Sequence, residues 1–255
     1  MTAAQLAHFT RQDLVDRYAG SALGAAWTII FPLVNIFIFI FVFSGIMQAR
    51  LPGDYGAFSY STYLISGLTA WMAFSNTVSR GTQTFMEKAN IIARVPIALP
   101  ELPLHVVISE TVIYIISLII FGVFLLAIGY NFEALLWLII PIFALQQLAA
   151  YSLGFILGML NVFLRDVQQA VAVVLQLWFW FTPIVYVDTI IPESMRWALM
   201  LNPMFPVIDA YHQIVVYHRV PALMPLLAFT AGTLALFVIG RWLFRRLERD
   251  LRDCL

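Results

Sequence analysis

The sequence predicts an all-α integral membrane protein, and its composition and the length of its apolar blocks both indicate this class. Of the 255 residues, 62% are hydrophobic and 11% are charged, and the mean hydropathy is +0.89. These values lie outside the usual range of soluble globular domains. A bilayer core of about 30 Å requires about 20 apolar residues in a helix, because lipid cannot pair with an open backbone amide.

Six apolar blocks meet that length and predict six transmembrane helices. They cover residues 27–47, 61–79, 104–129, 135–163, 169–187 and 222–243. The fourth block is longer than a bilayer requires, so we expect it to tilt or to project from the lipid. The whole chain is then one transmembrane domain, with a cytoplasmic interface helix in residues 1–26, a six-span bundle in 27–243 and a cytoplasmic tail in 244–255.

The basic residues are distributed unevenly between the connecting segments. Eleven of the fourteen Lys and Arg residues lie in the N-terminal segment, the second and fourth loops and the tail, whereas Arg50, Arg196 and Arg219 lie on the other side. This bias sets orientation, so we expect both termini to be cytoplasmic. The N-terminal segment is too polar for a cleavable signal peptide. The basic tail is typical of an anchor on anionic lipid rather than of nucleic-acid binding.

Two regions outside the spans predict short helices. Residues 6–25 predict an amphipathic helix along the inner surface, with Asp13 and Arg17 forming an i,i+4 ion pair. Residues 188–221 predict two short pieces that meet at Asn202-Pro203, too short to cross, which suggests a re-entrant hairpin or a cap. The second piece places Val207, Ile208, Tyr211, Ile214 and Val215 on one face and Asp209, His212 and Gln213 on the other.

Polar side chains inside the predicted spans need a partner or water. Glu110 lies about two turns inside the third span, and we expect it to pair with Arg80 or Arg94 unless it belongs to a coupling region. The amide residues either bond between helices or line a path; they are Asn35, Asn76, Gln146, Gln147 and Gln176.

Four ordered blocks of residues resemble one transporter family. They are the stretch from Arg11 to Trp27 followed by Pro32, a block after the fourth span, a block at the end of the fifth span and a block in the last outer loop. Their residues include Ser21, Gly24, Trp27, Pro32, Asn161, Arg165, Asp166, Thr182, Pro183, Tyr186, Asn202, Pro203 and Pro206. Together the blocks resemble the ABC-2 polysaccharide exporter permeases, most closely those that export O-antigen; the capsule and teichoic-acid permeases are more distant.

The resemblance implies a transport subunit rather than an enzyme. It implies a homodimer in the bacterial inner membrane that moves a lipid-linked polysaccharide, with two ATPase subunits that bind ATP and magnesium. The chain itself would bind no cofactor. Its sole lysine, Lys88, follows Glu87, whereas a phosphate-binding loop requires lysine after glycine. The resemblance also implies that the second loop docks on the ATPase; the candidates are Phe85, Met86, Glu87, Lys88, Asn90 and Arg94, and the interface-helix candidates are Arg11, Asp13, Arg17 and Tyr18.

A conduit for a glycan suits flat aromatic rings and amide side chains. Phe37 and Phe41 are four residues apart and share one helical face, as Phe39 and Phe43 share another. Related permeases place the first and fifth spans beside the channel. The lining candidates are Asn35, Phe37, Phe41, Trp71, Phe74, Asn76, Gln176, Trp178 and Trp180.

Other functions are less consistent with the residues. A lipid-linked transferase needs two carboxylate clusters, and Asp13 with Asp16 supplies one at most. A haem or quinone subunit needs histidines within facing spans, and His212 and His218 match no metal-site spacing. An ion-driven glycolipid flippase remains an alternative, with Glu110 as the one carboxyl group in a predicted span. A capsule or teichoic-acid permease of the same family is the other alternative.

Overall fold

The computed structural model describes residues 3–17, 20–47, 51, 58–93, 98–187, 191–192, 194 and 196–254. Tyr18 and Arg94, two of the candidate residues, lie outside this part. The described residues form helices and turns without a strand, which confirms the all-α prediction. The helices are α1 (Ala3–Asp16), α2 (Trp27–Phe39), α3 (Ser59–Glu87), α4 (Ala89–Ile92), α5 (Leu104–Ala127), α6 (Ile139–Phe163), α7 (Asp166–Phe181), α8 (Arg196–Leu201), α9 (Phe205–Val215) and α10 (Leu223–Cys254).

Four helical stretches of the described chain are long and apolar enough to cross a membrane. They are Gly24–Ile46, Leu99–Ala127, Ala134–Phe163 and Leu223–Cys254, and they coincide with the first, third, fourth and sixth predicted spans. The other two predicted spans fall on α3 and α7. Helix α3 has 29 residues but is rich in Ser and Thr, and α7 has 16 residues and rises about 24 Å. The count of six spans therefore stays a prediction.

Helix α3 is polar because it lies at the centre of the bundle rather than against lipid. It packs against α2, α5, α6, α7 and α9. Its buried hydroxyls bond within their own helix: Thr77 donates to the Ala73 carbonyl and Thr82 to the Val78 carbonyl, each at 2.8 Å. These polar groups are satisfied without water, so a central helix tolerates them.

Glycines bring α3 and α6 into backbone contact. A Cβ atom on Gly158 would stand 2.8 Å from the Gly81 carbonyl oxygen, and one on Gly81 would stand 3.2 Å from the Gly154 Cα. Small residues let membrane helices approach closely enough for their backbones to pack. The contact therefore requires glycine at these positions.

Two of the predicted span amides also join α6 to α3. Gln146 Nε2 donates to the Ala70 carbonyl at 2.8 Å, and the amide group of Gln147 lies 3.0 Å from the Thr77 hydroxyl. For these glutamines the structure selects bonding between helices from the two alternatives that the sequence left open.

The predicted fifth span ends early. The fifth apolar block predicts a helix over residues 169–187, but α7 ends at Phe181 and Thr182 is extended, with φ −100° and ψ 129°. Proline disfavours the helical conformation of the residue before it, so Pro183 terminates the helix instead of bending it.

The first span is helical as predicted, but it changes from an α-helix to a π-helix partway along. Helix α2 continues directly into a π-helix over Ile40–Ile46. The rings of Phe37 and Phe41 stack with centroids 5.9 Å apart, and those of Phe39 and Phe43 stack at 6.3 Å. The two shared faces predicted for these four rings are confirmed.

The predicted second loop begins later than expected. The second apolar block ends at residue 79, but α3 continues without interruption through Gly81 to Glu87. Gly81 does not break the helix because it packs against α6. Lys88 separates α3 from the four-residue helix α4.

The C-terminal tail is a packed helix and not only a basic anchor. Helix α10 reaches Cys254, and its 32 residues rise about 48 Å, more than a bilayer core needs. Its far end enters a second apolar group, called here the tail cluster: Phe85, Ile92, Leu99, Leu102, Phe155, Met159, Phe244 and Leu251. Phe9 of α1 packs against the same cluster, so both ends of the described chain lie at one end of the bundle.

We predict that Gly158→Ala destabilises the protein by about 1–3 kcal/mol, because the new methyl group would be forced against the Gly81 carbonyl. Thermal unfolding in detergent measures the loss. Gly122→Ala in α5 is the matched control, since its Cβ would meet no atom within 4 Å. Equal unfolding temperatures for the two variants would disprove the backbone contact.

Candidate functional site

Four charged side chains meet where α1 packs on α5 beside the end of α3; we call Asp13, Arg17, Arg80 and Glu110 the charged cluster. Arg80 donates to Asp13 and, at 3.0 Å, to Glu110 Oε1, and Arg17 also donates to Glu110. Glu110 is only 1% exposed. Its predicted pairing with Arg80 is confirmed, and Arg17 is a second partner that the sequence analysis did not identify.

The predicted Asp13–Arg17 pair is replaced by these contacts between helices. Four residues apart, the two side chains share one face of α1, as predicted, but that face packs toward α5 and α3. Two carboxylates and two guanidiniums balance, which is the condition for burying charge at low cost. The sequence indicated that Asp13 and Arg17 share a helical face, but only the packing of the helices shows which residues that face contacts.

The environment of Asp13 alters its acidity. Burial raises the pKa of this carboxyl, but the hydrogen bond and positive charge of Arg80 outweigh burial and hold the pKa below its ordinary value. Asp13 is therefore charged at neutral pH.

A cavity of about 200 Å³ opens beside the charged cluster between α2, α3 and α5. Arg17 and Glu110 form part of its wall. The structure brings together Asn35 and Asn76, which the sequence placed in different spans. The hydroxyl-bearing lining residues are Thr28, Thr69, Tyr114 and Ser117, and the helix proline Pro32 also lines it. The cavity offers amide and hydroxyl groups to a polar ligand or to water.

Asn202 joins the end of α7 to the start of α9. Its Oδ1 accepts from Trp178 Nε1 at 2.6 Å and from the Met204 amide at 3.0 Å, and its Nδ2 donates to the Thr182 hydroxyl at 2.9 Å. Pro183 and Pro203 end the segments on either side, and Pro206 occupies the first turn of α9. Only a side chain with both donors and an acceptor makes these bonds. These bonds give a physical reason for the motif block at the end of the fifth predicted span and for the block in the last outer loop.

The candidate lining residues differ in exposure. Trp71 and Phe74 are 5% and 2% exposed, and they pack against Trp178 with centroids 6.0 and 5.6 Å apart. Their rings therefore lie inside the helix bundle. The candidates on the surface are Phe37, Phe41, Gln176 and Trp180. Whether any of the nine lines a conduit stays a prediction.

Asn161 lies in the motif block after the fourth predicted span, and it connects three helices. Its Nδ2 donates to the Thr82 carbonyl of α3 and its Oδ1 accepts from the Gln168 amide of α7, both at 3.2 Å. Arg165 precedes the first turn of α7, and Asp166 lies in that turn, where a negative charge suits the helix dipole.

The entry to α2 is a tight turn. Gly24 has a φ of +48°, a left-handed value that favours glycine, and its amide donates to the Ser21 hydroxyl at 3.0 Å. Trp27 then begins α2, with its ring 5.1 Å from that of Phe31. The turn sets how α1 and α2 join.

The candidate coupling residues fall into two groups. Phe85 is fully buried in the tail cluster, whereas Glu87 and Asn90 are exposed, and Met86 and Lys88 are half-buried. Arg11 of α1 is also exposed. Glu87 and Asn90 are therefore available to a partner, whereas Phe85 is not.

His212 was assigned to the polar face of α9, and that prediction is wrong. The residue is buried and stacks on Tyr63 with centroids 3.6 Å apart. Gly67 of α3 leaves the room, since a Cβ there would stand 2.6 Å from His212 Nε2. Tyr63 in turn donates to the carbonyl of Pro183 at 3.0 Å and lies 3.1 Å from that of Tyr186. Gly67 was the only sequence signal for this stack.

We predict that α1 loosens from the bundle in acid. A carboxyl whose pKa is lowered by folding contributes stability that is present above its ordinary pKa, about 4, and is lost as pH falls through the lower folded value. Hydrogen exchange of α1 amides, corrected for intrinsic rates, should be constant from neutral pH to about pH 4 and should rise below it. Asp13→Asn should remove this dependence; an unchanged profile in that variant would contradict the assignment.

Similarity to known proteins agrees with this architecture. The profile of the ABC-2 type transporter family matches residues 4–216. The O-antigen export system permease protein RfbA of Myxococcus xanthus is 28% identical over 253 residues, which cover 98% of this chain and 95% of that protein. A protein of the same name from Klebsiella pneumoniae is 30% identical over 207 residues, 80% of this chain and 77% of that protein. The polysialic acid transport protein KpsM of Escherichia coli is 21% identical over 241 residues, with 94% and 92% covered. The chain is a multi-pass membrane protein and belongs to the ABC-2 type transporter family.

Proposed function

We propose that this chain is the permease subunit of an ATP-driven exporter that moves a lipid-linked polysaccharide, O-antigen, out of the cytoplasm. Two copies would enclose the channel in the bacterial inner membrane, and each would dock one ATPase subunit that binds ATP and magnesium. The observation that carries the proposal is similarity over 80–98% of the chain to permeases named for O-antigen export, at 28–30% identity. The two relatives named for polysialic acid transport are 20–21% identical, which favours O-antigen over capsule as the cargo.

The distribution of charge supports the proposed topology. The charged cluster, the end of α3 and the basic tail lie at the end of the bundle where α1 and α10 also end. We infer that this end is cytoplasmic and that α3 and α7 complete six spans. Helices α8 and α9 would then form the re-entrant hairpin on the outer side, held to α7 by Asn202.

The coupling step would begin at two exposed residues, Glu87 at the end of α3 and Asn90 in α4. Closure of the two ATPases would push Glu87 and Asn90, and the continuous helix α3 would carry the displacement. Arg80 lies two turns before Glu87 and holds α1 and α5 through Asp13 and Glu110. A push on α3 would therefore move three helices as one unit.

The conduit would form between the copies from the surface-exposed rings of α2 and α7. Aromatic faces contact the C–H faces of sugars, and amides such as Gln176 bind hydroxyls. Phe37 and Phe41 present a stacked pair at the surface, and Trp180 is exposed on α7.

An ion-driven flippase is less well supported. Glu110, the carboxyl in a predicted span that a proton-driven mechanism would use, instead accepts bonds from the guanidiniums of Arg17 and Arg80 and joins α5 to α3 and to the end of α1. The decisive experiment tests whether the tagged chain co-purifies with an ABC ATPase subunit and measures glycan export by the complex in vesicles. Export should stop when the catalytic glutamate of the ATPase is replaced. Export that persists and follows a proton gradient would overturn the proposal.

We predict that Glu87→Arg weakens ATPase docking by at least about tenfold, because it reverses a charge on the proposed contact surface. Membrane insertion should be unchanged, since the residue is exposed and beyond the buried core. Quantitative pull-down of the ATPase measures docking. Glu133→Arg at the opposite end is the control; normal docking of Glu87→Arg would remove this surface from the interface.

We also predict that Phe37→Ala slows export by roughly fivefold, which corresponds to about 1 kcal/mol of ring contact. Folding should be retained because the ring is 62% exposed. Ile119→Ala on α5, also 62% exposed, is the control for loss of an apolar surface side chain. Export at the wild-type rate in vesicles would place Phe37 away from the conduit.

A further inference from the structure

The end of α10 packs on α6 along one helical face. A Cβ on Gly240 would stand 3.3 Å from the Phe155 ring, Phe244 lies with its ring centroid 5.9 Å from that of Phe155, and Leu251 is 0% exposed. The spacing from Gly240 to Phe244 to Leu251 keeps all three on the same side of the helix. The tail is therefore docked along its length.

The basic residues of the tail do not account for this docking. Arg245, Arg246, Arg249 and Arg252 are exposed. Attraction to anionic lipid needs only that exposed face. Burial of Phe244 and Leu251 requires a protein surface that receives them.

That surface includes the segment proposed to contact the ATPase. Phe85 is fully buried in the tail cluster, and its ring centroid is 6.0 Å from that of Phe155. Ile92, at the end of α4, is in the same cluster. We call residues 85–92 the coupling segment. Phe155 thus lies between the coupling segment on one side and the tail on the other.

Helix α4 needs such support. It has four residues, and isolated helices of that length are unstable in water. Asn90 of α4 and Glu87, the last residue of α3, are exposed, and they can transmit a push only if the apolar side of residues 85–92 rests on something rigid.

We propose that the end of α10 positions the coupling segment, with Phe244 and Leu251 as the positioning residues. The tail and α6 together then form the support against which residues 85–92 rest. A displacement of this segment reaches α6 and α10 as well as α3. This inference rests on the proposed function, because it assumes that the ATPase contacts Glu87 and Asn90.

The test replaces Leu251 in the complete complex of permease and ATPase. Leu251→Ser should lower the amount of glycan exported per ATP hydrolysed by about threefold or more, the scale expected when coupling between two sites is weakened. Loss of ATPase docking in a variant that is inserted normally would count equally in favour. Leu251→Met should restore the ratio because it refills the same space. Arg249→Ser, on the exposed face, should behave as wild type.

The single cysteine provides a second readout. Cys254 is exposed at the end of α10, so a spin label there reports whether the tail is docked. Leu251→Ser should increase the mobile fraction of the label, and Leu251→Met and Arg249→Ser should not. This readout requires no transport activity and registers a released tail even if the complex does not form.

The outcomes separate this inference from the proposed function. Wild-type export per ATP in Leu251→Ser, with the label mobile, would overturn the positioning role of the tail. If Glu87→Arg still weakens docking in the same experiments, the assignment of the coupling surface survives that result. Normal docking of Glu87→Arg would instead contradict the proposed coupling surface itself, whatever the tail does.

Discussion

The backbone contact between α3 and α6 at Gly81, Gly154 and Gly158 is the constraint on which the rest of the structure depends. Lipid does not drive helices together, so close packing of small residues and bonds between helices must hold the pair. This contact places α3 at the centre, with other helices between it and the lipid. The central position explains why a helix rich in Ser and Thr is stable in this bundle, and it directs Arg80 toward α1 and α5.

Polar side chains then connect helices at both ends of the bundle. At the basic end, Arg80 holds α1 and α5 through two carboxylates, and Asn161 bonds both α3 and α7. At the other end, Asn202 performs the equivalent role between α7 and α9. Each of these side chains bonds to a segment that is distant in sequence. In a transporter, such bonds determine which helices move together when one of them is pushed.

Much of the fold was predictable, and the failures have identifiable causes. The apolar blocks located the helices, and a spacing of four residues correctly paired Phe37 with Phe41. The end of α7 was misplaced because proline terminates some helices and bends others, depending on whether neighbouring groups satisfy the freed backbone. His212 was misassigned because its polar character outweighed the space left by a glycine on another helix. The packed tail was missed because its arginines are more conspicuous in the sequence than Leu251.

The sequence by itself determined that this chain is helical, that it belongs in a membrane and that its positive charges are concentrated in the N-terminal segment, two connecting segments and the tail. These properties follow from composition and local order, since each span must satisfy its own backbone and charge does not cross lipid readily. Only the tertiary structure decided which charges pair, which amides bond between helices and which rings reach the surface. Those properties depend on partners far apart in the chain, and helical periodicity gives the face of a residue without saying what that face meets.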